Sequence, residues 1–477
     1  MKATVPALDK HIALVGFMGA GKSTLGREVA ERLGRTFLDV DAELEGLTGR
    51  SIPQLFGEGE AFFRAKEAKV TVERLHTSPP AVLALGGGAL GSAQVRDALR
   101  QHAFTVHVEV DPEDAWRRVR DSGRPLAQDE LDFRALFTKR APVYAEAADA
   151  TATEADEVVL AAAAVHVEAG SLARLGELVP AGEAALVSDA RVAGIYGADA
   201  QVSLGGRLSS VHELPEREEA KTVDAVTALW HALRLDRTGV LVALGGGCTT
   251  DAAGFAAATY LRGIHWVAVP STLVGQVDAA IGGKTAIDLP EGKNLVGAFH
   301  WPVRTVVDPV LLATLPERER REGLAEVVKT GLLSGEPLWE LPDAQLVRRA
   351  AAYKCAVCLR DPHDRGPRNV LNLGHTFAHA LEAAAGYEHV THGTAVALGL
   401  LAALRLSGLD TAAVEDVLRP KPVRVDPDAA WAALQRDKKT EDGRVRLVLL
   451  EAPGKPLRGV ERPETEVRAA LDALISH

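Results

Sequence analysis

The stretch Gly16-Phe-Met-Gly-Ala-Gly-Lys22-Ser23-Thr24 decides the fold of the first third of the chain. It fits the pattern G-x-x-x-x-G-K-[ST], and it lies between an apolar strand pattern at 11–15 and a helical pattern at 23–33. In this order, successive backbone N–H groups and the N-terminus of the helix point at the phosphates of a nucleotide. We expect Lys22 to reach the β- and γ-phosphates and Ser23 to hold Mg²⁺. The strand–loop–helix context disfavours the alternative, a chance glycine turn.

Short apolar runs alternate with longer helical patterns along the rest of this first third. The pattern predicts further strands at 36–39, 81–85 and 106–110 and a helix at 61–75. Together with the phosphate loop, the alternation predicts an α/β domain of the P-loop NTPase type, with a parallel sheet covered by helices. The pattern gives way to alanine and acidic residues at 155–164, so we place the first domain at residues 1–162.

The second domain is expected at residues 163–477. Strand patterns at 165–167, 184–188, 240–244 and 266–270 are separated by helical segments, which predicts an α/β nucleotide-binding part at 163–315. From about residue 317 onward strand patterns almost vanish, and Ala/Leu-rich helical patterns predict a mainly α-helical part at 316–477.

The bulk composition excludes several classes of protein. A net charge of −11 disfavours nonspecific binding to nucleic acid. No apolar run reaches the roughly 18 residues of a membrane span, and the first residues lack the pattern of a signal peptide, so we expect a cytoplasmic protein. Cys355 and Cys358 form a single C-x-x-C, compatible with a redox pair or half a zinc site. Their Ala-rich helical surroundings favour a structural role instead.

Charged residues near the phosphate loop suggest a small polar substrate. Asp39 and Asp41 end the second strand, where one carboxylate could bind a Mg²⁺ water and the other a substrate hydroxyl; solvated loop acids are the alternative. Gly86-Gly87-Gly88 follows another strand and allows either close approach of a ligand or a tight turn. Arg124 and Arg140 are suited to pair with a carboxylate or to stabilise phosphoryl charge.

Histidines cluster in the second half. His375 and His379 stand at positions i and i+4, and His389, His392 and Glu326 add further candidate ligands. Two histidines and one carboxylate with an open position form a common catalytic zinc set. The residues alone therefore predict a metal site, and they leave open which of the histidines are ligands.

Two other features of the second half fit anionic ligands. The run Leu244-Gly-Gly-Gly247 follows a strand but does not complete G-x-G-x-x-G, so it is a weak signal for a pyrophosphate site. Lys284 follows two glycines, and Lys293-Asn294 precedes an apolar turn. These positions resemble anion-binding loops, with solvated surface charge as the alternative.

The first ~160 residues resemble shikimate kinase through seven motifs in order. These motifs are GFMGAGKSTLG, FLDVD, TGRSI, FFRAKE, LGGGAL, GRPL and KRAPVY. The resemblance implies ATP binding by Gly19, Ala20, Gly21, Lys22, Ser23, Thr24, Arg117 and Arg124, and shikimate binding by Asp41, Arg64, Gly87, Gly88 and Arg140.

The same resemblance implies roles for individual residues of the first half. Lys22, Asp41 and Arg124 would be catalytic, with Asp41 orienting or deprotonating the accepting hydroxyl. Arg124 would lie on a lid that closes over the transferred phosphate, and Arg117 would lie near the adenine. Asp39 would support Mg²⁺ through water, beside Ser23.

The second half resembles 3-dehydroquinate synthase, most densely between Gly245 and Gly399. The shared motifs are EREEAKT, GGGCTTDAAGF, TYLRG, VPSTLVGQVDAAIGGKTAID, GKNLVGAF, GLAEVVKTG, RNVLNLGHTFAHALE, HGTAVALG and DKK. The resemblance implies a zinc ion, with cobalt as the alternative metal, that is held by Glu326, His375 and His392. It implies NAD binding by Asp189, Glu218, Lys221, Gly246, Gly247, Asp251, Ser271, Thr272, Lys293, Asn294 and Thr314.

The resemblance further implies a substrate site and a dimer. The heptulosonate phosphate would contact Asp278, Lys284, Asn294, Lys329, Lys354, Arg368, Asn372 and Lys438. Lys284, Lys329 and His379 would be catalytic, and Arg262 would reach the site of a neighbouring subunit, so we expect a homodimer. In the implied chemistry a ring hydroxyl is oxidised transiently by NAD⁺, phosphate leaves, the hydride returns and an intramolecular aldol step closes the carbocycle.

We therefore expect an enzyme of chorismate biosynthesis that phosphorylates shikimate and cyclises 3-deoxy-D-arabino-heptulosonate 7-phosphate. A related sugar-phosphate cyclase is the main alternative for the second half, and a zinc alcohol dehydrogenase of the glycerol type is a weaker one. An inactive kinase half retained for assembly is a third. Thr394 stands where the family pattern HGEAVAIG has glutamate, and Ala378 replaces a glycine of GHTFGHA. The segment Asp361–Asp364 also replaces a more acidic one.

Overall fold

A computed structural model describes residues 6–122, 125–387, 389–436, 440–441 and 444–476. The chain divides into two compact units, residues 1–164 and 165–477. Among the described residues, no helix combines the length and the apolar character that crossing a membrane requires.

The first unit is a five-stranded parallel sheet with strand order β2-β3-β1-β4-β5. Its strands are β1 (His11–Val15), β2 (Phe37–Asp39), β3 (Val82–Ala84), β4 (Ala103–Val108) and β5 (Ala150–Ala152). Its helices are α1 (Lys22–Leu33), α2 (Val40–Thr48), α3 (Ile52–Gly57), α4 (Glu60–Leu75), α5 (Ala93–His102), α6 (Pro112–Val119), α7 (Glu130–Ala147) and α8 (Ala155–Ala162). The predicted parallel α/β architecture is confirmed.

The sheet of the first unit brings the predicted site segments to one edge. Strand β1 is buried along its whole length and ends at the phosphate loop, as a central strand of a two-sided parallel sheet does. Its neighbour β3 ends before the glycine run 86–88, and β2 ends at Asp39. Because parallel strands end at the same edge, three segments distant in sequence meet there.

The second unit contains a six-stranded parallel sheet with strand order β6-β13-β10-β9-β7-β8. Its strands are β6 (Val165–Val167), β7 (Ala184–Asp189), β8 (Leu208–Leu214), β9 (Val240–Gly245), β10 (His265–Pro270) and β13 (Arg304–Val307). The α-helices of this part are α9 (Leu175–Leu178), α10 (Ala190–Val192), α11 (Ala198–Leu204), α12 (Val223–Ala232) and α13 (Gly247–Thr259).

Helices dominate the rest of the second unit, as predicted. They are α14 (Glu317–Ser334), α15 (Asp343–Arg360), α16 (His375–Ala384), α17 (His392–Ser407), α18 (Ala412–Leu418), α19 (Pro427–Arg436) and α20 (Glu464–Asp472). Strands nevertheless return near the C-terminus in two small hairpins, which the sequence patterns did not predict. These are β14 (Thr440–Glu441) with β15 (Arg444–Val445), and β16 (Leu447–Ala452) with β17 (Lys455–Val460).

One predicted pair of anion-binding loops is a hairpin in the structure. Lys284 is the first residue of β11 (Lys284–Leu289), and Lys293 and Asn294 lie in β12 (Gly292–Phe299). The two strands pair antiparallel. The interpretation as loops was wrong because glycine and lysine near a turn resemble a loop when cross-strand partners are unknown.

Close backbone contacts hold the helices of the second unit in register. A Cβ atom added at Gly399 of α17 would lie 2.1 Å from the carbonyl oxygen of Gly374, which precedes α16. A Cβ atom added at Gly393 would lie 2.5 Å from Cα of Glu322 on α14. These glycines let the start of α17 approach both neighbouring helices, so residues on three helices converge.

Candidate active sites

The phosphate loop of the first unit has the conformation that its glycines predict. Gly19 and Gly21 adopt φ values of 82° and 86°, which favour glycine, and α1 begins directly after Gly21. Lys22 Nζ donates hydrogen bonds to the carbonyl oxygens of Gly16 and Phe17 at 2.9 and 3.0 Å. The lysine therefore lies along the loop that it is expected to share with a nucleotide.

The two predicted magnesium residues meet directly. Ser23 Oγ donates to Asp39 Oδ2 at 2.5 Å. Asp39 also caps α2, because its Oδ1 accepts the amides of Asp41 at 3.1 Å and Ala42 at 3.4 Å. This second contact places Asp41 in the first turn of α2, beside the phosphate loop, where the sequence suggested only the end of a strand.

A cavity lies beside the glycine run of the first unit, and its lining includes Arg64, Glu67 and Arg140. Arg64 Nη1 donates to Glu67 Oε2 at 2.7 Å, and a Cβ added at Gly88 would lie 2.3 Å from the Arg64 guanidinium carbon. Burial raises the pKa of Glu67, although Arg64 opposes the rise. A Cβ at Gly86 would meet both Glu67 Oε1 and, at 3.0 Å, Asp41 Oδ1. The glycines therefore leave the space that these charged groups occupy.

Helix α7 closes the same cavity. Arg140 Nη1 and the Tyr144 hydroxyl both donate to the Gly87 carbonyl oxygen, at 3.2 and 2.5 Å. Burial raises the pKa of Tyr144 to about 12, so this phenol stays a donor at neutral pH. The structure thus brings together the five residues that were predicted to bind shikimate.

Of the two arginines that were predicted to bind the nucleotide, the structure describes only Arg117. Arg117 has an exposed side chain that pairs with Asp114 at 3.0 Å. Its neighbour Arg118 donates to the Gly19 carbonyl oxygen at 2.9 Å and so touches the phosphate loop. Arg124 lies outside the described residues.

A cleft in the second unit collects most of the residues predicted to bind NAD. The glycine run forms the turn from β9 into α13, and β7 and β10 end at the same edge of the sheet. The predicted residues that line the cleft are Asp189, Glu218, Gly246, Gly247, Ser271, Thr272, Lys293 and Thr314. The cleft also includes His392, so it reaches the predicted metal site.

The other three predicted NAD residues form a polar network around Lys221, which is buried. Lys221 donates to Asp251 Oδ2 at 2.9 Å and contacts Asn294, and Asp288 lies 3.8 Å away. Burial lowers the pKa of Lys221, but the carboxylates of Asp251, Glu218 and Asp288 outweigh it and raise the pKa above its ordinary value. The lysine is therefore a fixed cation that supports the cleft wall.

Three predicted zinc ligands converge from three helices. Glu326 on α14, His375 on α16 and His392 on α17 offer ligand atoms that all lie within 4.8 Å of one another. Nε2 of His392 and Nε2 of His375 lie 3.1 and 3.4 Å from Glu326 Oε1. The structure therefore selects two of the four clustered histidines as candidates.

The surroundings of these ligands fit a metal ion. Nδ1 of His375 contacts the Leu373 carbonyl oxygen at 3.2 Å, and Nδ1 of His392 contacts Glu382 Oε1 at 3.2 Å. Each ring thereby turns its Nε2 toward Glu326, as metal-binding histidines do. Burial lowers the pKa of His392, yet Glu326 and Glu382 raise it to about 10, so the site favours a bound cation.

A cluster of cations continues from the metal triad. Lys329 is 1% exposed and contacts both Glu326 and Asp278, the latter at 3.5 Å. Lys354 Nζ lies 2.9 Å from Asp278 Oδ1. Arg368 is also buried and donates to the Gly282 carbonyl oxygen at 2.9 Å. Asp278 thus holds two lysines side by side, next to the candidate metal ligands.

The remaining predicted residues lie further from this cluster or cannot be placed. Lys284 pairs with Asp364 at 2.5 Å. His379 is exposed, with its ring centroid 5.6 Å from that of His375. Arg262 is exposed in the turn after α13. Asn372 precedes α16, His389 is exposed outside the triad, and Lys438 lies outside the described residues.

Sequence reasoning missed several residues of the two sites. Glu67 and Tyr144 stood inside quoted motifs but received no role, and Glu382 was overlooked beside His379. Glu67 stands three residues from its partner Arg64, a helical spacing that could have pointed to it, whereas Tyr144 contacts Gly87, 57 residues away. Cys355 and Cys358 are both buried in α15, which supports the structural interpretation of the C-x-x-C.

Comparison with known families agrees with these two sites. The shikimate kinase family model matches residues 18–169, and the N-terminal and C-terminal models of 3-dehydroquinate synthase match residues 211–322 and 323–440. A bifunctional shikimate kinase/3-dehydroquinate synthase from Thermotoga maritima is 33% identical over 82% of this chain and 83% of its own length. The 3-dehydroquinate synthase of Bordetella pertussis is 41% identical over 65% of this chain and 95% of its own length.

Solved structures resemble the second half. A 2-epi-5-epi-valiolone synthase from Streptomyces hygroscopicus with NAD⁺ and Zn²⁺ bound is 28% identical, with a TM-score of 0.59, over 65% of this chain and 96% of its own. A 2-deoxy-scyllo-inosose synthase complexed with carbaglucose-6-phosphate, NAD⁺ and Co²⁺ is 26% identical, with a TM-score of 0.58, over 65% of this chain and 96% of its own. With one family model for the first half and two for the second, the chain belongs to the family of bifunctional shikimate kinases/3-dehydroquinate synthases.

Proposed function

We propose that the residues assembled at the two sites carry out the family's two reactions, one in each unit. The first unit transfers the γ-phosphoryl group of Mg²⁺-ATP to shikimate. The second converts 3-deoxy-D-arabino-heptulosonate 7-phosphate into 3-dehydroquinate and phosphate, with NAD⁺ and a divalent metal, zinc or cobalt. Lys329 carries the synthase assignment, because it contacts both the metal-ligand Glu326 and Asp278 of the cation cluster.

In the kinase site, positioning and charge neutralisation supply most of the catalysis. Ser23 and Asp39, already in contact, would hold the magnesium ion and its water. Arg64 and Arg140 bind the substrate carboxylate at the wall of the cavity. Asp41 Oδ1, at the far side of the glycine run, takes the proton of the accepting hydroxyl.

In the synthase site, the protein orients a substrate that carries a carboxylate and a phosphate. Glu326, His375 and His392 would hold a metal ion, which would supply polarisation of the hydroxyl to be oxidised, and the cleft would hold NAD⁺ as the hydride acceptor. Lys329, Lys354 and Arg368 bind the anionic groups, and Asp278 keeps the two lysines in place. Lys284, which pairs with Asp364, is assigned to the same anion-binding set, and His379, whose ring centroid lies 5.6 Å from that of His375, is assigned a proton transfer.

The test separates the two activities in the purified full-length chain. Lys22→Ala is expected to lower shikimate phosphorylation by at least about 100-fold and to leave the synthase rate unchanged. Treatment with 1,10-phenanthroline, in excess Mg²⁺, is expected to stop only the synthase, and added Zn²⁺ to restore it. Synthase activity that persists after verified zinc removal contradicts the metal assignment. Absence of ATP-dependent phosphorylation in the parent chain contradicts the kinase assignment.

The main alternative for the second unit is a related sugar-phosphate cyclase. The two synthases of known structure that resemble this half are the reason to test it. Arg368 and the lysines around Asp278 favour a substrate with both a carboxylate and a phosphate. The comparison substrates are a heptulose phosphate and a hexose phosphate that both lack the carboxylate. Turnover of either at a rate comparable with the heptulosonate would favour the alternative.

We further propose a cytoplasmic homodimer formed through the second unit. Arg262 is exposed beside Leu261, a large apolar residue that is 41% exposed, in the turn after α13. Both residues have positive φ values, 51° for Leu261 and 69° for Arg262, so this turn has a specific and costly backbone shape. An arginine presented in this way is suited to reach a partner's site.

A further inference from the structure

Helix α17 begins at the candidate metal ligand His392, and a carboxylate from another helix holds its first turn. Glu322 Oε2 on α14 accepts the backbone amide of Gly393 at 2.5 Å. Glu322 Oε1 accepts the hydroxyl of Thr391, the N-cap residue, at 2.6 Å. The first amides of a helix have no partner inside the helix, and a negative charge is favourable there. Glu322 therefore caps α17 from outside.

The same contact connects two of the metal ligands. Glu322 and Glu326 stand four residues apart on α14, so they lie on one face of that helix. Glu326 contacts His392 at 3.1 Å, one turn along from the cap. No side chain separates the helices here, because a Cβ at Gly393 would lie 2.5 Å from Glu322 Cα. Glu322 thus fixes the start of α17 against α14. The distance between these two helices at this place determines how Glu326 and His392 are arranged.

Thr394, which replaces the glutamate of the family pattern, explains why the capping carboxylate comes from another helix. In the pattern HGEAVAIG the third helical residue is glutamate, and an N-cap threonine with glutamate at that place is a capping box within one helix. Here the hydroxyls of Thr391 and Thr394 lie 2.8 Å apart. Thr391 donates its single proton to Glu322, so Thr394 must donate to Thr391. Glu322 supplies the carboxylate that position 394 lacks.

We propose that Glu322 is a positioning residue of the synthase metal site. By capping α17 from α14 it holds His392 against Glu326, in place of the missing capping-box glutamate. The inference rests on the proposed metal site. It implies that removal of Glu322 weakens metal binding, and that a glutamate at position 394 restores it.

The test measures zinc affinity in the full-length chain by competition with a chromophoric chelator. Glu322→Ala is expected to weaken zinc binding by about 10-fold or more, as loss of groups that orient metal ligands does. It should also alter the visible absorption of the cobalt-substituted protein. The double variant Glu322→Ala/Thr394→Glu is expected to recover most of the affinity. Glu317→Ala, which removes an exposed carboxylate at the start of α14, is the matched control and should behave as the parent.

Each outcome decides the proposal. Parental zinc affinity and an unchanged cobalt spectrum in Glu322→Ala overturn it, and so does a double variant that recovers nothing. Glu322→Gln keeps an acceptor oxygen without charge and replaces the alanine variant if that one does not fold; parental affinity there also overturns the proposal. His375→Ala tests the metal site separately. Zinc binding that persists at the parental affinity in this variant contradicts the proposed function, not only the role of Glu322.

Discussion

At the scale of single residues, the kinase site depends on two glycines, because a side chain at either position would overlap a neighbouring charged group. Gly86 and Gly88 adjoin Glu67 and Arg64 so closely that an added Cβ atom would overlap their charged groups. In the proposed function, shape is therefore part of substrate recognition, because Arg64 can meet a carboxylate only if the backbone beside it carries no side chain. This role could not be distinguished from a tight turn in the sequence alone.

Gly88→Ala is expected to displace the Arg64 guanidinium and to raise the KM for shikimate. An increase of about 10- to 100-fold is expected, since a hydrogen bond to a charged group contributes about 1.5–3 kcal/mol. The KM for ATP should change little, because the phosphate loop is not touched. Initial-rate kinetics with each substrate varied measure both constants. Gly46→Ala, where an added Cβ meets nothing within 4 Å, is the control. An unchanged KM for shikimate would exclude Arg64 from substrate binding.

Cys248 illustrates how burial controls reactivity beside the NAD cleft. Burial raises the pKa of its thiol to about 12. The thiolate is the nucleophile, so at pH 8 only about 1 in 10⁴ molecules of this thiol is reactive, against about a quarter for an ordinary cysteine. We expect iodoacetamide to modify Cys248 about 1000-fold more slowly in the native chain than in urea. The native rate should rise tenfold per pH unit up to pH 11, as mass spectrometry of the peptide can follow. Rapid native labelling at pH 8 would contradict the raised pKa of this thiol.

At the scale of elements, the metal site depends on how closely three helices pack. Gly374 and Gly399 allow α16 and α17 to touch through their backbones, and this contact brings His375 toward His392. Packing of this kind has no tolerance for added volume.

Gly399→Ala is therefore expected to force α16 and α17 apart and to destabilise the second unit by about 1–3 kcal/mol. The free energy of unfolding can be measured by urea denaturation followed by tryptophan fluorescence. Zinc affinity should fall in the same variant, while shikimate phosphorylation in the first unit is unaffected. Gly206→Ala is the control, since an added Cβ there meets nothing within 4 Å. Parental stability in Gly399→Ala would show that the helices can separate without cost.

Strands and helices whose own residues form a recognisable pattern could be predicted from the sequence. The strands β1, β7, β9 and β10 are continuous apolar runs, which a parallel sheet buried on both faces requires, and they lie within about a residue of their predicted bounds. The β11–β12 hairpin and the strands after residue 440 were missed, because their pairing depends on partners that a local pattern does not contain.

Site residues also divide into those that a local motif reveals and those that it does not. Lys22, Ser23 and the three candidate zinc ligands stand in motifs with specific spacing, and the structure brings each set together. Glu322 and Glu382 act on His392 across helices, 70 and 10 residues away in sequence, and no spacing rule points to them. The departure at Thr394 was visible in the sequence, but the group that compensates for it was not.

At the scale of the whole molecule, each unit contains its own core and its own set of candidate catalytic residues. The two reactions belong to one pathway without being consecutive, so the fusion does not imply transfer of an intermediate from one site to the other. Variants of one unit should therefore leave the other activity intact, and each activity serves as the internal control for the other.

The proposed dimer makes the sharpest prediction at this scale, because it requires residues of two chains in one synthase site. Arg262→Ala and Lys284→Ala are each expected to abolish synthase activity and to retain kinase activity. In a mixed dimer, the site of the Arg262→Ala chain receives an intact arginine from its partner. Refolding the two variants together should thus restore about a quarter of the parental activity, since half of the symmetric dimers are mixed and each has one complete site.

The matched control for this experiment is a mixture of Lys284→Ala with Lys329→Ala. Both lysines belong to the chain's own site, so a mixed dimer of these variants contains no complete site and should remain inactive. Sedimentation of the parent chain at the mass of a dimer is a second requirement. Failure of Arg262→Ala and Lys284→Ala to complement each other, while the parent sediments as a dimer, would confine Arg262 to its own subunit. A parent that sediments as a monomer with full synthase activity would remove the dimer from the mechanism altogether.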